Sequence, residues 1–130
     1  MDPLVFQRVW TLIGYALILS VVILSLTPST PFPAEIPFID KFYHLLAYSV
    51  LMLWFAQLYP KSRYIRLVLG LIALGIVLEL AQAKTGVRSG EVWDAVAGGL
   101  GVILSWGLAV SGMNSLLHKF EGWCLKPGDE

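Results

Sequence analysis

Four apolar stretches, each close to the length of a membrane span, constrain this chain more than any other feature. They cover about residues 9–26, 39–59, 64–83 and 90–112. An α-helix rises 1.5 Å per residue, so about 20 apolar residues cross the roughly 30 Å hydrocarbon core of a bilayer. With 57% hydrophobic and only 14% charged residues, the chain has more apolar material than a water-soluble core of 130 residues would bury. The sequence therefore predicts one all-α membrane domain over residues 1–130, an integral four-helix bundle.

The segments between these stretches carry signals of loops and helix ends. Residues 27–37 contain four prolines, which predicts an extended, exposed loop. Residues 60–63 predict a tight turn. Gly86 predicts the C-cap of the third helix, and Lys84 is favourable near the negative end of the same helix. The tail over residues 115–125 places apolar side chains at helical spacing, which predicts a short helix on the cytoplasmic membrane surface.

The distribution of basic residues predicts the orientation. The N-terminal tail, second loop and C-terminal tail hold six basic residues, namely Arg8, Lys61, Arg63, Arg66, Lys119 and Lys126. The first and third loops hold three, namely Lys41, Lys84 and Arg88. Because cytoplasmic flanks are enriched in Lys and Arg, both termini are expected to be cytoplasmic. Nine basic residues balance nine acidic ones overall, so the total charge does not suggest a nucleic-acid partner.

Polar residues gather where three of the predicted helices begin or end on the outer side. They are Asp40, Lys41, His44 and Tyr48 of the second helix, Glu79 and Gln82 of the third, and Arg88, Glu91 and Asp94 of the fourth. Asp40, His44 and Tyr48 are spaced by four residues, so a helix places them on one face. An ionisable group in hydrocarbon costs on the order of 3 kcal/mol or more, so such groups normally face a protein interior or a water-filled cavity. Three helices are therefore expected to bring polar side chains to one depth.

The order and spacing of these residues resemble the VanZ-like membrane family. The resemblance rests on the strings D-K-x-x-H-x-x-A-Y-x-x-L, E-x-x-Q and R-x5-D, which begin here at Asp40, Glu79 and Arg88, and on Gly101. It covers the second to fourth helices and implies a small multi-pass protein of the bacterial inner membrane, with a namesake linked to teicoplanin resistance. It implies no particular reaction. The chain departs from the family pattern at Gly98, where the family commonly has an asparagine.

Two kinds of catalytic site are poorly supported by the residues. Metal ligands are available in His44, Glu79 and Asp94, but a single helical histidine without a second ligand at H-x-x-E or H-x-x-x-H spacing is a weak signal. The sequence accordingly predicts neither a metal nor a cofactor. Nucleophilic catalysis has no good candidate, because Ser49 lies on a different helix face from His44.

A headgroup-binding site is better supported. Arg88 offers a planar fork for phosphate or carboxylate, Lys41 adds a point charge, and the starts of the second and fourth helices present free N–H groups on the same side. We therefore expect the chain to bind the headgroup of an anionic envelope lipid, a glycolipid or a cell-wall precursor, with Asp40, Lys41, Tyr48, Gln82, Arg88 and Asp94 as binding residues. The bilayer itself is the other expected partner.

The same polar residues are compatible with other functions. His44 and Glu79 have the chemistry for acid–base catalysis on a lipid-linked phosphate or glycosyl ester, so an enzyme is one alternative. A purely structural polar network is another. The oligomeric state is also open, although small residues at Ala97, Gly101, Ser105 and Ala109 favour close packing inside the bundle over a homodimer seam.

Overall fold

The computed structural model describes residues 2–27, 38–86 and 91–126 of the chain. Within them lie five α-helices, which are α1 (Gln7–Leu26), α2 (Ile39–Leu58), α3 (Tyr64–Thr85), α4 (Val92–Val110) and α5 (Leu116–Cys124). Short 3-10 turns at Lys61–Arg63 and Met113–Ser115 precede α3 and α5. The described residues form no strand, which confirms the all-helical prediction. Every predicted helix boundary lies within two residues of the observed one.

The predicted loop signals are partly visible. Gly86 follows α3 with a φ of 65°, a left-handed conformation that glycine adopts without a steric penalty, so the predicted C-cap is confirmed. The predicted tight turn between α2 and α3 is the 3-10 turn. The predicted proline loop lies outside the described residues, apart from Thr27.

Three of the helical segments are long and apolar enough to cross a membrane. They are α1, the continuous segment Lys61–Thr85 that contains α3, and α4, with mean hydropathies of 2.3, 2.1 and 1.5. Helix α2 has the same length as α1, 20 residues. It begins with Asp40, Lys41 and His44, whose polar side chains lower its hydropathy. These findings support a helical membrane protein.

Helix α2 lies at the centre of the molecule and packs most extensively against α4. The two backbones approach closely at Gly101, where a Cβ would collide with the carbonyl oxygen of Leu45. Ser49 donates a hydrogen bond from its hydroxyl to the Gly101 carbonyl at 3.2 Å. Ser105 and Ala109, further along the same stripe of small residues, are also buried. The stripe therefore mediates packing between helices of one chain, as predicted.

The start of α1 and helix α5 meet at one end of the molecule. The Glu121 carboxylate on α5 accepts backbone N–H groups of Val5 at 2.7 Å and Phe6 at 3.0 Å, and the indole N–H of Trp10 at 2.6 Å. These backbone groups stand at the start of α1, where N–H donors have no partner within the helix. Helix α5 therefore caps α1. The opposite face of α5 leaves Trp123 76% exposed.

Candidate functional site

Lys41 lies at the centre of the predicted polar cluster. Its ammonium nitrogen is 3.2 Å from Asp40 Oδ2, 2.7 Å from Glu91 Oε2 and 3.3 Å from Asp94 Oδ1. The three carboxylates come from the first turn of α2 and the start of α4, so the lysine joins these two helix ends. The positive charge of Lys41 is thus shared among three carboxylates.

His44 and Tyr48 lie one helical turn apart on α2, and their rings stack with centroids 6.5 Å apart. The prediction that they share a face is confirmed. His44 Nε2 lies 3.8 Å from Asp94 Oδ2, a distance at which a protonated imidazole forms an ion pair. Tyr48 is almost completely buried, at 3% exposure. The shared face of α2 therefore points into the protein and toward α4.

Glu79 reaches the same region from α3. Its carboxylate accepts the backbone N–H of Glu91 at 3.1 Å, just before α4 begins. A carboxylate at the start of a helix is favoured by the helix dipole and by the free N–H groups there. Glu79 is buried, and so is Asp94. Helices α2, α3 and α4 thus each contribute to one partly buried ionic cluster, in which Glu79 and Asp94 are buried.

Gln82 contacts a different helix. Its side-chain amide donates to the Ser25 carbonyl near the end of α1 at 2.6 Å, and the residue is 2% exposed. This bond ties α3 to α1, so the predicted ligand-binding role of Gln82 has no support from this contact. Arg88, another predicted binding residue, lies outside the described residues.

Gly98 has a structural reason in this chain. A Cβ at that position would lie 3.0 Å from Cδ2 of the Tyr48 ring, and one at Gly75 would lie 3.5 Å from the Tyr48 hydroxyl. The tyrosine ring thus packs against a glycine on α4 and another on α3. A side chain at position 98 would require the ring to shift.

Two sets of acidic and histidine side chains bring their donor atoms within 4.8 Å of one another among the described residues. One set, Asp40, Glu91 and Asp94, surrounds the Lys41 ammonium. The other comprises His44, Glu79 and Asp94, whose imidazole and carboxylate groups are suitable ligands for a divalent metal. The sequence names these three residues as available metal ligands, but their convergence from three helices is visible only in the structure.

Glu91 also belongs to the cluster, although it is not among the binding residues that the sequence predicts. It lies three residues before Asp94, so both carboxylates stand at the start of one helix. That spacing was the available signal, and the contact with Lys41 across 50 positions of sequence was not visible in it.

The fold and the cluster define a helical membrane protein with a partly buried ionic site formed by three helices. Comparison with protein-family models, curated proteins and solved structures finds no match to this chain. The chemistry of the site therefore has to follow from its geometry. Carboxylates outnumber ammonium groups around Lys41, so the described part of the cluster offers hydrogen-bond acceptors more readily than anion-binding donors.

Proposed function

We propose that this chain is a bacterial inner-membrane protein of the VanZ-like type, which crosses the bilayer four times and binds the headgroup of an envelope lipid. The ordered motifs of α2, α3 and α4 support the family, and the ionic cluster that joins these helices supports the site. Through such binding the protein would contribute to tolerance of glycopeptide antibiotics, as the resemblance implies.

The proposed topology places both termini in the cytoplasm. Helix α2 has a span's length and packs against all three helices that qualify as spans. The Glu121 contacts bring the start of α1 and helix α5 together, which favours an even number of crossings. The six-to-three distribution of basic residues then favours the cytoplasmic side for that end.

The exposure of two carboxylates beside a neutralised lysine is the observation that carries the headgroup proposal. The side chains of Asp40 and Glu91 are 38% and 47% exposed, while each retains an acceptor oxygen beyond its contact with Lys41. Trp93, next along the chain after Val92, is 68% exposed and offers a flat apolar surface. Carboxylates and an aromatic face suit sugar hydroxyls, so among the expected ligands we favour a glycolipid headgroup. The guanidinium group of Arg88 would bind the phosphate of that headgroup through paired hydrogen bonds.

Lipid mass spectrometry on gently purified protein tests this proposal. The wild-type chain is expected to retain a glycolipid, and the pair Asp40→Asn with Glu91→Gln is expected to lose it. Asp2→Asn is the control, because Asp2 is an exposed acid that precedes α1 and does not belong to the ionic cluster. Absence of glycolipid from the wild type, or equal retention by the neutralised pair, contradicts the proposal.

An enzyme acting on a lipid-linked phosphate or glycosyl ester is the second candidate. The observation that favours it is the convergence of His44, Glu79 and Asp94, since an imidazole near two buried carboxylates is suited to proton transfer. His44→Ala would then retain the lipid and stop its turnover. A purely structural cluster would instead tolerate neutral, isosteric changes at all three positions. Such variants would still retain the lipid and would still complement a strain from which the gene is deleted.

A further inference from the structure

A lateral groove lies between α1 and α3, and none of its lining residues belongs to the ionic cluster. Its volume is about 510 Å³, within the range of small-molecule sites. Tyr15 and Ile18 of α1 line one side, Leu67, Gly70, Leu71 and Leu74 of α3 line the other, and Phe55 and Tyr59 of α2 complete the lining. Among the lining residues only Arg63 and Arg66 are charged.

Helices α1 and α3 are in contact at one end and leave the groove between them further along. The hydrogen bond from Gln82 to Ser25 joins them near their C-terminal ends. Nearer the start of α3, Gly70 has no side chain to reach toward α1, and a Cβ built there meets no atom within 4 Å. The open space at Gly70 therefore belongs to the groove.

Aromatic rings form one wall and lead to the charged end. Phe55 contacts Tyr15 edge-on with ring centroids 6.1 Å apart, and stacks with Tyr59 at 6.4 Å. The Arg63 guanidinium lies over the Tyr59 ring, 5.7 Å from its centroid. This cation–π contact holds one arginine at the mouth of the groove. Arg66 follows three residues later at the start of α3, where both arginines remain exposed.

From these observations we infer that the groove binds an anionic phospholipid. The two guanidinium groups would meet the phosphate, a pairing that arginine makes with planar, paired hydrogen bonds. One acyl chain would run along the apolar lining from Arg66 toward Leu74, a distance of about 12 Å at 1.5 Å per residue. Basic groups beside a cleft between membrane helices are a known arrangement for anionic lipid recognition. This site is separate from the ionic cluster and does not depend on the function proposed above.

Native mass spectrometry of the purified full-length chain tests the inference, with dioleoyl-phosphatidylglycerol and dioleoyl-phosphatidylcholine as competing probes. The wild type is expected to prefer the anionic lipid. Arg63→Gln with Arg66→Gln should reduce that preference by about fivefold per arginine. The control pair, Lys84→Gln with Lys119→Gln, removes the same charge from exposed positions outside the groove and should keep the preference.

A second variant tests the apolar part of the groove. Gly70→Leu should weaken binding of the anionic lipid by about tenfold, because the leucine side chain would occupy space that the acyl chain fills. Gly107→Leu is its matched control, since a Cβ there also meets no atom within 4 Å and the residue lies on α4, outside the groove. Equal affinity of the wild type for both lipids overturns the inference, as does a control that behaves like its test variant. Unchanged binding by Gly70→Leu overturns it as well.

Discussion

Glu79 on α3 accepts the backbone N–H of Glu91 at 3.1 Å and thereby ties the end of one helix to the start of the next. The carboxylate is buried, so the hydrogen bond forms where water competes poorly. This relationship explains a buried acid without invoking catalysis. It also places Glu79 beside His44 and Asp94, where proton transfer is chemically feasible.

Replacing Glu79 should measure how much its hydrogen bond to Glu91 contributes to stability. Glu79→Ala removes the acceptor and is expected to lower the free energy of unfolding by about 1 kcal/mol, the usual net contribution of a hydrogen bond. Glu79→Gln keeps an acceptor oxygen and should cost less. Denaturant titration of the purified protein measures both. Equal losses for the two variants would show that the hydrogen bond to Glu91 contributes little.

Accessibility of single cysteines checks the proposed topology. A cysteine introduced at Thr85, an exposed position at the end of α3, should react with an impermeant reagent applied to intact cells. The native Cys124, exposed at the end of α5, should not react unless the membrane is opened. The Thr85 variant is built on a Cys124→Ser background so that each thiol is read alone. Labelling of Cys124 in intact cells contradicts the orientation.

The attachment of α5 to α1 should depend on pH. Burial acts to raise the pKa of the Glu121 carboxyl, but hydrogen bonds from Phe6, Trp10 and Val5 outweigh it and hold the pKa below the usual value of 4.5. Because the folded-state pKa is depressed, the stabilisation is complete above the unfolded value and is lost as the pH falls through the folded value.

Acidification from above pH 4.5 through the depressed pKa of Glu121 should therefore weaken the attachment of α5, with a change in the fluorescence of Trp10, whose indole donates to Glu121. Glu121→Gln, which has no charge to lose, should remove this transition while leaving one acceptor in place. Persistence of the transition in that variant would assign it to another group.

Close packing of α2 and α4 makes Gly101 sensitive to any added side chain. Gly101→Ala is expected to lower the free energy of unfolding by about 1–3 kcal/mol, because its Cβ would collide with the Leu45 carbonyl and force the helices apart. Gly107→Ala, in open space on the same helix, should be neutral or stabilise by up to about 1 kcal/mol through helix propensity. Thermal unfolding in detergent compares the pair. Similar melting temperatures for the two variants would argue against tight contact at Gly101.

Much of the local structure follows from the sequence alone. Helix lengths were predictable because about 20 apolar residues match a bilayer, and α5 was predictable from apolar spacing over a short segment. Gly86 as a cap and the small residues around Gly101 were likewise visible as local patterns. The same holds for the face shared by His44 and Tyr48, since residues four apart in a helix lie above one another.

The partners of the polar residues were decided by the tertiary structure. Lys41 contacts three carboxylates and Gln82 contacts α1, and the spacing of residues along one helix does not identify these partners. Gly98 makes room for Tyr48, and Gly70 leaves a groove open, although both are single glycines within apolar helices. Periodicity along one helix defines which residues share its face. The rotation, depth and crossing angle of neighbouring helices determine what that face meets, and these depend on side-chain packing across the whole interface.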